Sequence, residues 1–522
     1  MADGVVTVLS AVKRLERKAG TPAQEALALK EALAQAQAEI ETLARRAAGD
    51  ASDMLAFQAA MLSDDELARP AFESVSAGES ASAAWETTMA VEISGYRAAE
   101  DAHFSARAAD LEDIRDRVLG HLAPAADGAP IPSGSVVVAP DLPLSRFLGI
   151  DWEKGGAIVL TEGSPASHVA MLARARRVPM VVGLGAAADS MAGRQALVDA
   201  VSGEVVLDPT EDTRTAFAAR AGRAEAATAA AVAFRQRPAV TKDGTAISVN
   251  LNAASADELQ GIDPAICDGV GLVRTELMFY GPSGPPDEDA QFEAYRRILA
   301  WARGRPVTIR TLDAGGDKPI EGLTMSGESN PFLGVRGIRL SLRHPALFQT
   351  QLRALARAAA HGDLRVMLPM VTVPEELEAA RKLLDEALTS LARDGIAAVR
   401  PKLGIMIEVP AAAIAIDQFD ADFFSIGSND LTQYVTAAGR DIGAVADLAD
   451  ALNPAVLRLI ASVARHGRES GRAVSLCGDA GGEPRVIGAL LRAGLRSLSV
   501  APGSVAAAKQ AIAGVDLREA TP

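Results

Sequence analysis

The chain is poor in the residues that staple or anchor a protein from outside its own core. It has only two cysteines, Cys267 and Cys477, too few for a disulfide framework, so a reduced, cytoplasmic protein is expected. No apolar run reaches the roughly 18 residues that can span a bilayer. The N-terminus lacks a charged stretch followed by an apolar segment and cleavage site, and no membrane insertion is expected. There is no long basic cluster. With a formal net charge of -15 and a pI near 5.0, the surface should repel a nucleic-acid backbone, so no nucleic-acid partner is expected. Histidine is scarce too, six in 522 residues, which makes the position of each one informative.

What is present is core. Hydrophobic residues make up 49% of the chain and mean hydropathy is +0.13, a packed globular balance. A single core stops growing at about 250–300 residues, so two or three domains are expected.

Three textures follow one another along the chain. Residues 21–121 read as a helical bundle. Thr21 and Gln24 form a capping box, Pro22 suits the first turn, and Ala26, Leu29, Leu33, Ala36, Ile40, Leu43 and Ala47 follow a heptad that needs a helical partner. "SDDE" at 63–66 is a second capping box. Trp85, Met89, Ile93, Phe104, Leu111, Ile114 and Val118 continue the helical period. On periodicity alone this segment is a scaffold.

After the Pro/Gly/Ala stretch "LAPAADGAPIPSG", short strands dominate: "SVVVAP", "GAIVL", "VPMVVG", "QALVDA" and "GEVVLDP", with "VSGE" as a hairpin turn. This α/β unit carries His168 where a buried strand gives way to a helix, and the bundle reads as inserted into it or leaning on it. A polar, Ala-rich helix from about 210 to 236 then forms a linker ahead of Pro238.

Beyond residue 245, eight apolar strands recur with helices between them: "AISVNLNA", "GVGLVRTE", "PVTIRTLDAGG", "LRVMLPMV", "LGIMIEVP", "FFSIGSND", "AVSLCGDA" and "SLSVAP". That count and spacing predict a TIM (β/α)8 barrel, so the chain is read as an α/β multidomain protein. Asn250, Asn252, Arg274, Glu276, Arg310, Asp313, Glu408, Asn429, Asp430, Cys477 and Asp479 are expected at the C-terminal strand ends, where barrel strands present their functional groups. Arginine's planar fork suits carboxylate or phosphate, with pairing to Glu276 or Asp313 as the alternative for Arg274 and Arg310. Glu408 and Asp430 on consecutive strands can offer Mg²⁺ two oxygens, with substrate phosphate and waters completing the octahedron. Cys477 is expected at the mouth as a proton donor or nucleophile, and Cys267 in the packing.

"GVGLVRTELMFY", "RTLDAGGDKP", "NPFLGVRGIR", "IEVPAAA", "FFSIGSNDLTQY" and "CGDAGG" occur in the order in which the phosphoenolpyruvate-protein phosphotransferases, enzyme I of the bacterial sugar phosphotransferase system, carry them. The resemblance runs from about residue 20 to about residue 505, with "FQAAMLSDDEL" and "DLEDIRDRVLGHL" similar to the family's partner-binding subdomain. It implies phosphoryl transfer from phosphoenolpyruvate to His168 and on to a histidine of an HPr-type carrier protein, the first step of sugar uptake. It further implies that Arg274, Arg310, Asn429 and Arg440 bind phosphoenolpyruvate, with Arg336 and Lys318 as secondary contacts. Glu408 and Asp430 would hold Mg²⁺, and Cys477 would protonate the departing enolate. The implied domains are an α/β phosphohistidine domain (1–20 and 122–209), a helical carrier-binding subdomain (21–121), a helical linker (210–240) and a phosphoenolpyruvate-binding barrel (241–522). Hinges are expected around 122–135 and 210–240, because the histidine must reach two stations.

The chain also departs from the family. "GSPASH" stands where Gly-Gly-Arg-Thr-Ser-His is usual, so Ser164, Pro165 and Ala166 replace a glycine, an arginine and a threonine. "GD" after Cys477 replaces Gly-Glu. The chain stops soon after "SLSVAP", near the barrel region through which the family dimerises, and a homodimer is expected. The altered histidine loop keeps open a second reading, a low-turnover protein that senses phosphoenolpyruvate. A third, a relative of phosphoenolpyruvate synthase or pyruvate,phosphate dikinase, is disfavoured because there is no room for an ATP-binding domain.

Overall fold

The computed structural model describes residues 1–9, 19–46, 55, 58–63, 65–98, 102–123, 131–162, 168–185, 188–279, 284–316, 320, 323–325, 328–439 and 443–518. The chain divides into two compact units, Met1–Arg223 and Ala224–Pro522.

In the first unit, strands β1 (Ala2–Val8), β2 (Val136–Ala139), β3 (Ala157–Leu160), β4 (Met180–Val181), β5 (Gln195–Asp199) and β6 (Glu204–Leu207) form one sheet in the order β4-β3-β2-β1-β5-β6. The inner strands β2 and β3 are buried along their whole length, as continuous apolar runs in a parallel arrangement require. β5 and β6 pair antiparallel through the expected hairpin. β1 was not anticipated: "ADGVVTV" opens with Asp-Gly, a turn signal, yet the strand sits in mid-sheet, parallel to β2 and antiparallel to β5.

Between β1 and β2 the chain runs through helices Pro22–Arg46, Asp65–Ser76, Ala81–Ala98 and Ala102–Leu122. They share a core of their own containing Leu29, Ile40, Trp85, Met89, Ile114 and Val118. The Thr21 capping box is present: Thr21 N donates to Gln24 Oε1 at 2.9 Å, and Gln24 N to Thr21 Oγ1 at 3.4 Å. The buried seam is slightly rotated from the expected heptad. Ala32 is buried rather than Leu33, and Glu25 rather than Ala26. Glu25 is tolerated there because its two oxygens accept from Gly20 N and Ala81 N, the latter tying it to the start of the helix Ala81–Ala98.

In the second unit all eight expected strands are present: β7 (Ser248–Ala253), β8 (Val270–Val273), β9 (Val307–Arg310), β10 (Leu364–Leu368), β11 (Lys402–Ile407), β12 (Phe423–Gly427), β13 (Ala473–Cys477) and β14 (Ser497–Val500). They close into a barrel with every neighbouring pair parallel. The outward-facing strand residues, such as Val249, Ile309, Val366, Ile405, Ile426, Leu476 and Leu498, pack against the surrounding helices in the largest core of the molecule. Gly271 permits a close approach, since a Cβ there would lie 2.5 Å from Ser499 Oγ. No described helix is long and apolar enough to cross a membrane.

Candidate active site

Parallel strands bring their C-terminal ends to one face, so residues far apart in sequence meet there. Arg310, the last residue of β9, is buried. Its Nη2 donates to Glu276 Oε1 at 2.7 Å, and its Nη1 lies 3.0 Å from Asp313 Oδ2. Burial opposes its charge, but Glu276, Asp313 and Glu408 outweigh burial and hold it protonated. Its Nε is buried without a hydrogen-bond partner, leaving one donor of the guanidinium uncommitted.

Arg336 was expected only as a secondary contact, yet it lies at the centre of this network and is fully buried. It grips Asp313 with two donors, Nε to Oδ1 at 3.2 Å and Nη2 to Oδ2 at 2.9 Å, and reaches Asp430 Oδ2 at 3.4 Å. Burial again opposes the charge, and Asp313 and Asp430 override it. Gly315 makes room for this arginine: at φ 109° its missing Cβ would fall 2.7 Å from Arg336 Cβ.

Glu408 follows β11 and is buried. Met370 N, held at a positive φ of 58°, donates to Glu408 Oε1 at 2.6 Å. Burial, followed by Asp430 and Asp313, pushes the Glu408 carboxyl well above the usual carboxylate range, against the pull of Arg310 and Arg336. Asp430, in the first turn of the helix Ser428–Thr436, is also buried. Gly427 lets these elements close up, because a Cβ there would lie 2.9 Å from Glu408 Oε2. Two buried carboxylates facing arginines already shared with Asp313 form a site short of positive charge. A divalent cation held by oxygen would correct that shortage. Among the described residues no group of three or more His, Cys, Asp or Glu side chains is arranged to hold a metal.

Asn429 is oriented by Asp479: its Nδ2 donates to Asp479 Oδ2 at 3.1 Å, and its Oδ1 accepts from Asp479 N at 3.0 Å. One amide N–H remains for a ligand. Arg274 is exposed just beyond β8. Cys477 ends β13, but it is 1% exposed and packs with Leu272, Met367, Met406 and Phe423 rather than opening to the mouth. Burial pushes its thiol up to about 11, against a hydrogen bond from Ser425 and the nearby charges of Arg310 and Arg274. The sulfur therefore holds its proton at neutral pH, the state a proton donor requires.

Not every candidate joins the cluster. Asn250 bonds Ser497 Oγ at the N-terminal end of the barrel, because β7 begins only two residues before it. Cys267 is buried, with its Sγ 3.5 Å from Pro264 O, in the packing as expected. His168 is the first residue of the helix His168–Ala175, where backbone N–H groups lack helical partners. Lys318, Arg440 and the "GSPAS" stretch ahead of His168 lie outside the described residues. The sequence reading overlooked Ser425 and Ser475. Their signal is a hydroxyl in an otherwise apolar strand.

Three family models match the chain: PEP-utilising enzyme, N-terminal, over residues 1–107; PEP-utilising enzyme, mobile domain, over 131–203; and PEP-utilising enzyme, PEP-binding domain, over 228–517. The phosphoenolpyruvate-protein phosphotransferase of Haloferax volcanii is 42% identical to it, covering 79% of this chain and 73% of that protein. That of Geobacillus stearothermophilus is 36% identical, covering 92% and 85%. The multiphosphoryl transfer protein of Rhodobacter capsulatus is 39% identical, covering 86% of this chain and 54% of that protein.

Proposed function

The chain belongs to the phosphoenolpyruvate-protein phosphotransferases, and from that membership we propose that it moves the phosphoryl group of phosphoenolpyruvate to His168 and on to a histidine of an HPr-type carrier protein. The observation that carries this reading is the buried network of Arg310, Arg336, Asp313, Glu408 and Asp430 at the ends of parallel barrel strands.

In this reading Arg274, Arg310, Asn429 and Arg440 bind the phosphate and carboxylate of the substrate, with Lys318 as a secondary contact. Arg336 fixes Asp313 and Asp430 so that the site is rigid before substrate arrives. Glu408 and Asp430 hold Mg²⁺ through their oxygens. When bound, the ion supplies the positive charge that the carboxylates call for and neutralises charge on the transferring phosphoryl group. The His168 imidazole attacks phosphorus in line; the N–P bond forms as the bond from phosphorus to the enol oxygen breaks. Cys477 gives its S–H proton to the methylene carbon of the enolate, and pyruvate leaves. The positive dipole end at the start of the helix His168–Ala175 favours the phosphorylated form.

The helical segment 21–121 docks the carrier, residues 1–20 and 122–209 carry the histidine, the helical linker 210–240 follows, and 241–522 bind phosphoenolpyruvate and form a homodimer. The protein works in the cytoplasm, in keeping with its two free cysteines. The test is incubation with phosphoenolpyruvate carrying radioactive phosphate, with and without Mg²⁺. Acid-labile, Mg²⁺-dependent label that is absent from His168→Ala and passes to an added carrier is expected. Label that persists in His168→Ala would overturn the assignment.

A further inference from the structure

The interior of the barrel around Cys477 has two kinds of wall. Strand alternation sends Leu476, Leu498 and Ile426 outward into the main core, so Ser475, Cys477 and Ser425 point inward. On one side Cys477 belongs to a buried cluster with Leu272, Met367, Met406 and Phe423, none of which has a proton to give. On the other side is a chain of hydroxyls. Ser475 Oγ donates to Ser425 Oγ at 3.0 Å, and Ser425 Oγ donates to Cys477 Sγ at 3.4 Å.

Both bonds run toward the sulfur, and of the three groups only Ser475 is partly open to solvent. Ser475 is partly exposed, Ser425 is fully buried and Cys477 is 1% exposed. Ser475 is the middle residue of β13, in register with Ser425, and Ser497 and Ser248, the first residues of β14 and β7 at the N-terminal end of the barrel, are partly exposed as well.

We propose that Ser475 and Ser425 form a proton relay that refills the Cys477 sulfur from solvent at the end of the barrel opposite the substrate. This inference rests on the reading of Cys477 as the proton donor to the enolate. Once its S–H bond has broken and a C–H bond has formed on the product, the sulfur is a thiolate. Ser425 passes its hydroxyl proton to the sulfur, Ser475 passes its own to Ser425, and a water passes one to Ser475, leaving hydroxide for the bulk buffer. No oxidant or reductant takes part. Neutralisation of that hydroxide by the buffer at neutral pH drives the proton to the sulfur, whose thiol burial pushes up to about 11. A refill from behind leaves the product and the charged network at the mouth undisturbed.

The test follows pyruvate formation by the full chain with phosphoenolpyruvate, Mg²⁺ and excess carrier, resolving the first turnover from later ones. In Ser475→Ala and Ser425→Ala the first turnover should run at the wild-type rate, because the thiol begins protonated. Later turnovers should slow at least about tenfold, so that pyruvate appears as a stoichiometric burst. Ser475→Thr, which keeps the hydroxyl, should behave as wild type, and in a Cys477→Ser background removing either hydroxyl should change nothing further. Wild-type steady-state rates in both alanine variants would overturn the relay. So would a first turnover slowed as much as the later ones, which would mean a displaced thiol. A wild-type protein that forms no pyruvate would overturn the parent reading and the relay together.

Discussion

Arg336 shows at the scale of a single residue how burial changes the meaning of a charge. It is fully buried and serves Asp313 and Asp430 at once, so Arg336→Met should leave Asp313 to Arg310 and take from Asp430 its Arg336 contact in a dry environment. A loss of about 3–5 kcal/mol is expected, read as a lower urea midpoint with an unchanged slope. Cys477 gives a second residue-scale prediction. With its thiol pushed up to about 11, little thiolate exists at neutral pH, and only thiolate is alkylated. The native protein should therefore resist iodoacetamide at pH 7.5 at Cys477 and react there on unfolding in urea, as read by peptide mass. Rapid native labelling of Cys477 would contradict the buried site. Glu408, Asp430 and Arg310 were legible in the sequence because each is a charge at the end of an apolar run. The role of Arg336 was not, because what makes it central is the meeting of two other strands around it.

At the scale of elements, turns and caps decide how closely groups approach. Gly478 follows β13 at φ 110°, and a Cβ there would sit 2.3 Å from Ser428 Oγ. Gly478→Ala should therefore destabilise the barrel by about 1–3 kcal/mol and disturb the pairing of Asn429 with Asp479, visible as a lower melting temperature and weaker phosphoenolpyruvate binding. Thr21→Ala removes the cap of the helix Pro22–Arg46 and should cost about 1 kcal/mol, as a lower urea midpoint of the unit Met1–Arg223. Unchanged stability would show that this helix is held by packing alone. Barrel strands were legible as elements because a strand covered on both faces is a continuous apolar run. β1 was not, because its Asp-Gly start reads as a turn and its pairing with β2 spans well over a hundred residues. The small rotation of the helical seam onto Glu25 and Ala32 was hidden for a similar reason. The donors that satisfy Glu25 include the start of a helix 56 residues away.

At the scale of the whole molecule, the division at Arg223 and Ala224 makes a direct prediction. A chain beginning at Ala224 contains the closed barrel and its core, and should unfold in urea as a single cooperative transition with Cys477 protected until that transition. A gradual, non-cooperative loss of structure would show that the barrel depends on the first unit. The sequence by itself determined the classes of element, the closed barrel, and the strand ends where chemistry had to lie, because periodicity and strand-end polarity are local properties. Only the tertiary structure decided that Arg336 is the buried bridge, that Asn250 lies at the opposite end from the site, that Cys477 is enclosed, and that a line of hydroxyls leads to it. Those facts depend on which side chains from distant strands meet inside one barrel. That meeting is set by closure and register, which no local pattern encodes.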